Sequence, residues 1–283
     1  MLSYQHAYHA GNFADVHKHL TLYAVIDYLL RKKTAITYVD THAGRGLYPL
    51  VAQETQRLQE YRQGIWPLWQ ARLGFTDELL NRWQAALTSA QPMPEALTHY
   101  PGSPWWLSHI LREQDQLRLF ELHPGEHEQL NAQGLSPHAQ RVFGNGLTGL
   151  TAMLPVSSPR LCVLIDPSYE RKVEYQEVAE TVAYTLAKVR HGVVLIWYPL
   201  LPAGHHHTLL TALKESGVRK IWRSELLLRA PGEQAHGMYG SGMLVINPPW
   251  GLDQRLAAAM EKITPLLGAE SYYQAEWWVE ESQ

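Results

Sequence analysis

Hydrophobic and polar positions alternate along the chain in a pattern typical of strands separated by helices. Short runs rich in β-branched and apolar residues predict seven strands, at 35–40, 117–122, 141–143, 161–165, 193–198, 220–228 and 243–246. Between the fourth and fifth runs, apolar positions at helical spacing predict a helix that buries one face, through Tyr175, Val178, Val182, Leu186 and Val189. This order indicates an α/β fold with a doubly wound, mostly parallel seven-stranded sheet that binds ligands at the carboxyl ends of its strands.

A further helix is predicted near the start of the chain. Asn12 followed by Asp15 is typical of a helix N-cap, and apolar residues then recur at helical spacing from Val16 as far as Arg31. This helix precedes the first predicted strand, so the N-terminal segment 1–34 is expected to pack beside the sheet and contribute to its binding edge.

The alternation of strands and helices is interrupted once. Residues 47–103 lack strand character and carry Trp, Leu, Arg and Gln at helical spacing, which predicts an inserted helical subdomain. We expect Trp66, Trp69 and Trp83 to form a small core of its own, with a cap over a substrate as the alternative. Residues 1–46 and 104–283 are then expected to form one Rossmann-like domain around this insertion.

Composition limits the classes of protein that the chain can belong to. With 283 residues and 46% hydrophobic content, it can bury a full core. The single cysteine, Cys162, excludes an internal disulfide framework and lies in an apolar run typical of a buried strand. His17 and His19 would diverge on a helix and no thiolate supports them, so no metal site is expected.

Location and charge give two further expectations. The N-terminus lacks the apolar region of a signal peptide, and no stretch reaches the roughly 18 to 20 apolar residues of a membrane span, so we expect a cytoplasmic protein with no membrane contact. The net charge of −3 argues against a protein that coats nucleic acid by bulk electrostatics. Any contact with nucleic acid must therefore be local.

The first predicted strand ends in a glycine turn, "DTHAGRG", with Gly44 and Gly46. Such a turn lets the backbone approach a nucleoside, and an acid at the end of the next strand, Glu121, can accept hydrogen bonds from both ribose hydroxyls. The turn lacks the third glycine of a dinucleotide fingerprint, which argues against NAD. Asn145 follows the third strand and either presents its amide to a purine edge or only tolerates a left-handed turn.

Two strand ends carry proline motifs, "DPSY" from Asp166 and "NPPW" from Asn247. The pattern Asp/Asn-Pro-Pro-aromatic suits methyl transfer to an amino nitrogen conjugated with a ring, because the side chain and the following carbonyl each hold one amino hydrogen while the aromatic stacks on the extruded base. The "NPPW" motif matches this pattern more closely, but too few residues follow Trp250 for three more strands. Asp166 then ends the fourth strand, beside the first. We therefore assign catalysis to Asp166, the Pro167 carbonyl and Tyr169, and expect Trp250 to pack at a strand exit.

Several segments together resemble one family along nearly the whole chain. They are "MLSYQHAYHAGNFADVHKH", "DTHAGRG", "YPGSP", "LREQDQLRLFELHP", "LIDPSYE", "WYP" and "SGMLVINPPW". The sequence is similar to the bacterial 23S ribosomal RNA adenine-N6 methyltransferase J family. The resemblance implies a class I fold that binds S-adenosylmethionine and carries a helical insertion.

The same resemblance implies roles for individual residues. The residues that the resemblance implies as cofactor contacts are His19, His42, Ser103, Glu121, Asn145, Gly146 and Asp166. Gly44 of the glycine turn belongs with them, and Lys18 is expected to lie beside them. Tyr4 and His6 are implied to face the RNA. The chain departs from the family pattern at Ser168, where the family has Pro, and at Asn145, where it has Asp. These departures put the turnover rate and the cofactor affinity in question more than the reaction.

The function expected from the sequence is methylation of N6 of one adenine in 23S ribosomal RNA, by direct transfer to a flipped-out base. The expected RNA is protein-free or an early assembly precursor, and the expected enzyme is a monomer, although the sequence carries no signal for oligomeric state. Two alternatives stay open: an adenine-N6 methyltransferase acting on DNA, and a non-catalytic RNA-binding protein on a methyltransferase fold. Retention of Asp166, Tyr169, Glu121 and the glycine turn argues against the non-catalytic alternative.

Overall fold

The computed structural model describes residues 4–230 and 237–281, so residues 1–3 of the predicted N-terminal segment lie outside the described residues. The strands are β1 (Ile36–Asp40), β2 (Leu47–Pro49), β3 (His99–Pro101), β4 (Gln116–Glu121), β5 (Ala139–Phe143), β6 (Arg160–Ile165), β7 (Val193–Leu200), β8 (Ile221–Leu227), β9 (Gly240–Ile246) and β10 (Tyr272–Val279). The helices are α1 (Phe13–Leu29), α2 (Gln53–Leu58), α3 (Ile65–Ala71), α4 (Glu78–Ser89), α5 (Ser103–His109), α6 (Pro124–Ala132), α7 (Gly146–Ala152), α8 (Glu174–Lys188), α9 (His206–Glu215) and α10 (Leu252–Leu267). Short 3-10 turns occur at His6–Tyr8, Glu60–Gln63 and Arg72–Gly74. Among the described helices, none combines the length and the apolar character of a membrane span.

The main sheet has the strand order β10-β8-β9-β7-β6-β1-β4-β5. The strands from β7 to β5 are parallel to their neighbours, whereas β9 runs antiparallel between β7 and β8. This order confirms the predicted doubly wound, mostly parallel Rossmann-like sheet. Because β1 lies between β4 and β6, the winding direction changes at β1, and a crevice opens there at the carboxyl ends of the strands.

Two features of the sheets differ from the sequence prediction. The main sheet has eight strands rather than seven, because β10 pairs with β8 at the edge. Most side chains of β10 are exposed or partly exposed, so its sequence carries no apolar run to mark it. The inserted segment is also not purely helical, because β2 and β3 form an antiparallel pair that closes its base.

Helix α1 begins as predicted and then becomes buried on every side. The Asn12 side chain accepts a hydrogen bond from the Asp15 backbone N–H at 2.9 Å, which is the predicted N-cap. Within the helix, His17 donates to or accepts from Ser224 Oγ and Ser241 Oγ, each at 3.0 Å, which ties α1 to β8 and β9. Helix α1 therefore lies between the sheet and the insertion.

The insertion does not form a hydrophobic core of its own. Trp66 is 38% exposed, while Trp69 and Trp83 belong to the same buried cluster as residues of α1 and α10. The Trp83 ring stacks on Trp106 of α5 with their centroids 6.0 Å apart. The expectation of a separate tryptophan core is therefore wrong, because the insertion buries its apolar face against the main domain.

The "NPPW" motif follows β9 and lies at the end of the strands that is opposite the crevice. The Asn247 side chain donates to the Arg190 and Gly192 carbonyls, at 3.0 and 2.9 Å, and its backbone N–H donates to the Lys220 carbonyl at 3.0 Å. Trp250 is 86% exposed, so the expectation that it packs is wrong. The two prolines end strand pairing and project the ring outward instead of inward.

We expect Trp250→Ala to change the free energy of unfolding by less than about 0.5 kcal/mol, because its ring makes little buried contact. Asn247→Ala is the matched comparison. It removes two side-chain hydrogen bonds and leaves alanine at a φ of 52°, so we expect it to cost roughly 2 kcal/mol. Urea unfolding of both variants measures the two effects, and a larger loss for Trp250→Ala than for Asn247→Ala would contradict this assignment.

Candidate active site

A cavity of about 790 Å³ opens at the carboxyl ends of β1, β4, β6 and β7. It collects side chains from the N-terminal segment, from α1, and from the turns that follow these strands. The predicted residues that line it are Tyr4, His6, Lys18, His19, His42, Gly44, Ser103, Glu121, Asn145, Gly146, Asp166 and Pro167. The structure thus brings together residues that are up to about 160 positions apart in the sequence.

Tyr169 is the one predicted site residue that does not line this cavity. Its side chain is only 7% exposed, its ring stacks on Tyr175 with centroids 4.2 Å apart, and its hydroxyl donates to the Trp197 carbonyl at 2.8 Å. The backbone at Tyr169 has a φ of 54°, which turns the ring away from the crevice and into the core. In this conformation Tyr169 therefore does not offer a ring face on which a base could stack.

The glycine turn after β1 is fixed to both neighbouring strands. The Thr41 N–H donates to the Leu164 carbonyl of β6 at 3.1 Å, and the Ala43 N–H donates to the Phe120 carbonyl of β4 at 2.9 Å. Gly44 has a φ of 63°, and a Cβ there would lie 2.3 Å from the Tyr48 hydroxyl, so only glycine fits. The turn is therefore held rigidly with its backbone facing the cavity.

Glu121 closes the same side of the cavity from the end of β4. Its Oε2 accepts from the Gly44 N–H at 2.8 Å and its Oε1 accepts from the His123 N–H at 2.7 Å. Burial raises the pKa of Glu121, while these two hydrogen bonds oppose the rise. Each oxygen keeps a second lone pair, which leaves the carboxylate able to accept hydrogen bonds from a ribose.

Asn145 caps helix α7 rather than adopting a left-handed turn. Its φ is −70°, and its Oδ1 accepts from the Leu147 N–H at 2.9 Å and the Thr148 N–H at 3.1 Å. The oxygen is therefore already engaged, and the amide NH₂ is the half of the side chain left for a ligand. The next residue, Gly146, has no room for a side chain, because a Cβ would lie 1.9 Å from the Thr41 carbonyl.

A chain of polar contacts runs from the N-terminal segment to Asp166. Tyr4 Oη is 2.8 Å from His6 Nδ1, and His6 Nε2 is 2.8 Å from Asp15 Oδ2. Lys18 Nζ then contacts both Asp15 Oδ1, at 3.1 Å, and Asp166 Oδ2, at 2.5 Å. Asp15 was recognised in the sequence only as part of a helix cap, yet it is the centre of this network.

Burial and charge set the protonation of these groups. Burial disfavours the Lys18 cation, but the Asp166 and Asp15 carboxylates outweigh it and raise the pKa of Lys18. Burial also disfavours the ionised form of Asp15, yet the His6 and Lys18 charges hold the pKa of this carboxyl well below the usual range. Burial raises the pKa of Asp166, with the Lys18 charge opposing the rise. The network therefore favours a charged Lys18 held between two acids.

Two buried polar atoms have no hydrogen-bond partner among the described residues: His19 Nε2, whose residue lines the cavity, and Asp40 Oδ2, whose residue does not. His19 Nδ1 lies 2.7 Å from the Tyr100 hydroxyl, and burial holds the pKa of His19 well below its usual value, so the ring is neutral. Asp40 ends β1 directly before the glycine turn, which is the signal that could have marked it in the sequence. Unpaired buried polar atoms are costly, so His19 Nε2, which belongs to the lining, points to a ligand that would satisfy it.

The far side of the cavity is different in character. Beyond Asp166, the end of β7 and a neighbouring segment contribute Trp197, Pro199, Leu201 and Met238. The sheet order places Asp166 between this apolar side and the side formed by β4 and β5, where Glu121 and Asn145 lie. The cavity is continuous, and Asp166 lies between its two sides. We call the side with Glu121 and Asn145 the first compartment and the side with Trp197 the second compartment.

The strand order and a two-compartment cavity at the switch point define a class I methyltransferase, a class whose methyl donor is S-adenosylmethionine. The family model described as ribosomal RNA large subunit methyltransferase D, RlmJ, matches residues 33–279. The chain belongs to this family.

Relatives along nearly the full length agree with this assignment. The chain is 38% identical over 259 residues to ribosomal RNA large subunit methyltransferase J of Escherichia coli K12, covering 90% of each protein. It is 35% identical over 283 residues to the protein of the same name from Haemophilus influenzae, covering 99% of this chain and 98% of that protein. A crystal structure of a Legionella pneumophila protein matches with a TM-score of 0.86 and 34% identity, covering 95% of this chain and 98% of that chain.

The residues of the first compartment fit S-adenosylmethionine. The partnerless His19 Nε2 offers a site for a polar group of the cofactor, and the Gly44 turn and the Gly146 helix start permit close backbone approach. Glu121 provides acceptors for ribose hydroxyls. Acidic side chains around the cavity also suit a ligand that carries a positive sulfonium group.

We expect Asp40→Asn to change how stability depends on pH. Burial, with a further contribution from the Asp166 charge, raises the pKa of Asp40 to about 7. Because the folded pKa exceeds the unfolded value, the stabilisation from the protonated form is complete below about pH 4 and is lost as the pH rises through 7. The asparagine variant escapes this loss, so its melting temperature should exceed that of the wild type by about 5 °C at pH 8 and by much less at pH 5.

The measurement is a series of melting temperatures for both proteins between pH 5 and pH 8. Groups remote from Asp40 titrate equally in the two proteins, so the difference between the curves reports Asp40 together with its interaction with Asp166. Parallel curves across this range would show that Asp40 does not titrate there.

Proposed function

We propose that this chain transfers the methyl group of S-adenosylmethionine to N6 of an adenine in 23S ribosomal RNA. The observation that carries the proposal is a pair of adjacent acceptors at the end of β6. Asp166 Oδ1 and the Pro167 carbonyl each lack a hydrogen-bond donor among the described residues, although both residues line the cavity. An exocyclic amino group has two hydrogens, which two such acceptors can hold.

Adenine N6 is a poor nucleophile because its lone pair is delocalised into the ring. Hydrogen bonds from its two N–H groups to Asp166 Oδ1 and the Pro167 carbonyl draw the nitrogen toward sp³ geometry and localise the lone pair. S-adenosylmethionine, when bound by His19, His42, Ser103, Glu121, Asn145 and Gly146, supplies an electrophilic methyl group. Asp166 receives the proton that N6 loses, and burial assists it because a raised pKa makes the carboxylate a better base.

Lys18 serves as the positioning residue in this mechanism. It holds Oδ2 of Asp166 at 2.5 Å, so the carboxylate cannot rotate freely and Oδ1 stays directed to the amine. Its positive charge also keeps Asp166 ionised and able to accept a hydrogen bond before the reaction. Ser168 replaces a residue that would restrict the backbone at Pro167, so Lys18 supplies preorganisation that the motif itself lacks.

Ribosomal RNA is favoured over DNA because the named relatives act on ribosomal RNA. We further propose that the N-terminal segment faces the RNA, since Tyr4 and His6 line the cavity and the Tyr4 side chain is 37% exposed. The residues that we assign to both ligands come from one chain, so a monomer would suffice for the reaction. Extrusion of a base into it favours protein-free RNA or an early assembly precursor, in the cytoplasm.

We expect Asp166→Ala to lower methylation of ribosomal RNA by at least about a hundredfold, because the acceptor and the base are lost together. The substrate is ribosomal RNA from a deletion strain, with labelled cofactor and mapping of the modified nucleotide. Circular dichroism and melting should show a folded variant, since Lys18 keeps its contact with Asp15. Asp166→Asn, which retains an acceptor oxygen, should retain more activity than the alanine variant.

A folded Asp166→Ala protein with more than a tenth of the wild-type rate would sink the site assignment. A wild-type protein that binds ribosomal RNA but transfers no methyl group to it would instead favour the non-catalytic RNA-binding alternative. Methyl transfer to DNA adenine but not to RNA would favour the alternative of an adenine-N6 methyltransferase acting on DNA.

Tyr4 tests the part of the proposal that concerns RNA. We expect Tyr4→Ala to reduce kcat/KM on ribosomal RNA by roughly tenfold, because one stacking surface is lost. Cofactor affinity measured by calorimetry should stay within about twofold of wild type. Tyr4→Phe keeps the ring but loses the hydroxyl contact with His6, so it separates stacking from the polar network. Loss of cofactor binding in Tyr4→Ala would show that Tyr4 belongs to the cofactor compartment.

A further inference from the structure

We propose that Trp197, and not Tyr169, provides the aromatic face on which the target adenine stacks. This inference rests on the proposed function and specifies how the second compartment of the cavity holds the base. Tyr169 occupies the aromatic position of the catalytic motif, so the sequence alone assigns stacking to it.

Tyr169 is committed to the core. Its ring stacks on Tyr175 at an interplanar angle of 21°, and its hydroxyl is held by the Trp197 carbonyl. To reach the cavity, the ring would have to leave this stack, break this hydrogen bond and expose a side chain that is now 7% exposed. Each of these changes is unfavourable, so Tyr169 supports the strand end from behind rather than meeting the substrate.

Trp197 lies where a stacking residue is needed. Strand β7 pairs with β6 in parallel register, with Ile196 opposite Ile165, so Trp197 and Asp166 are the next residues along their strands. Neighbouring strands are about 4.8 Å apart, so a purine whose amino group is held at Asp166 can extend to a ring on the neighbouring strand. Trp197 lines the cavity and is partly exposed to it.

The Trp197 ring is also held in a fixed orientation. Its Nε1–H donates to Ser241 Oγ at 3.0 Å, and the same Ser241 Oγ lies 3.0 Å from His17 Nδ1. Lys18 Nζ is 5.9 Å from the ring centroid. A rigid indole loses little conformational freedom when a base stacks on it, and its single donor is already satisfied away from the cavity.

The surroundings of Trp197 favour an uncharged ring over a phosphate. Pro199, Leu201 and Met238 extend the apolar lining beside it. The lining also holds Glu170, and Glu174 and Glu177, which both pair with Arg171, so acids outnumber cations there. Stacking is tolerant of base identity, because every base offers a π face. Trp197 therefore holds whichever base is extruded, and selection of adenine falls to the two acceptors at Asp166 and Pro167.

The test compares Trp197→Phe with Trp197→Leu and Trp197→Ala. Two quantities are measured: kcat/KM for methylation of ribosomal RNA, and quenching of the fluorescence of 2-aminopurine riboside, an uncharged nucleoside, which reports stacking on an indole or phenyl ring. We expect Trp197→Ala and Trp197→Leu to lose about ten- to a hundredfold in kcat/KM and most of the quenching. Trp197→Phe should stay within about fivefold of wild type, and cofactor affinity should change by less than about twofold in all three variants.

Trp250→Ala is the control, because it removes an exposed indole at the opposite end of the strands. It should leave both measurements unchanged. If Trp197→Ala proves unstable, the comparison of Phe with Leu still decides the matter, since both are large apolar side chains and only one can stack. Full quenching in Trp197→Leu, or equal rates for Phe and Leu, would overturn the proposal.

The failure of this inference is distinguishable from failure of the proposed function. If the wild-type protein does not methylate ribosomal RNA, the function is wrong, and the quenching experiment with the uncharged nucleoside still reports whether Trp197 stacks on a purine. If methylation occurs and quenching does not depend on Trp197, the function stands and this inference is wrong.

Discussion

The ion pair between Lys18 and Asp166 is the interaction on which the arrangement of the cavity depends. It joins α1 to the end of β6, and Asp15 extends it to His6 and the N-terminal segment. Burying charges is costly unless each is compensated, and here one ammonium is shared by two carboxylates. Loss of Lys18 would leave Asp15 and Asp166 facing each other with only His6 to oppose their charges. The contact therefore joins Asp166, helix α1 and the N-terminal segment into one unit.

Electrostatics divide the ligands between the two compartments. The lining of the cavity is rich in acids, and its Lys18 and Arg171 cations are paired with carboxylates. Such a surface attracts a positive sulfonium group and repels phosphate, which fits the proposed entry of a base without the backbone that carries it. A chain with a net charge of −3 can thus act on RNA without coating it.

Much of the fold could be predicted from the sequence, because buried strands and a capped helix leave clear patterns. The seven apolar runs and the Asn12 cap are found where predicted, and strand order alone selected Asp166 over Asn247. Strand β10 was missed because an edge strand with exposed side chains shows no apolar run. The direction of the Tyr169 ring could not be predicted from the sequence, because it depends on a φ of 54° and on packing against Tyr175. Exposure of Trp250 was likewise invisible, since two prolines predict the end of a strand but not the side to which the next ring points.

The stacking of Trp83 on Trp106 has a consequence for how the protein unfolds. Because the insertion completes the same core as α1 and α10, it cannot be excised or grafted as a module, and its removal would expose apolar faces of the catalytic domain. We expect amide protons of α4 and α1 to exchange at similar rates, as members of one cooperative unit. A lineage that gained this segment would thereafter be unable to lose it without rebuilding the surface beneath.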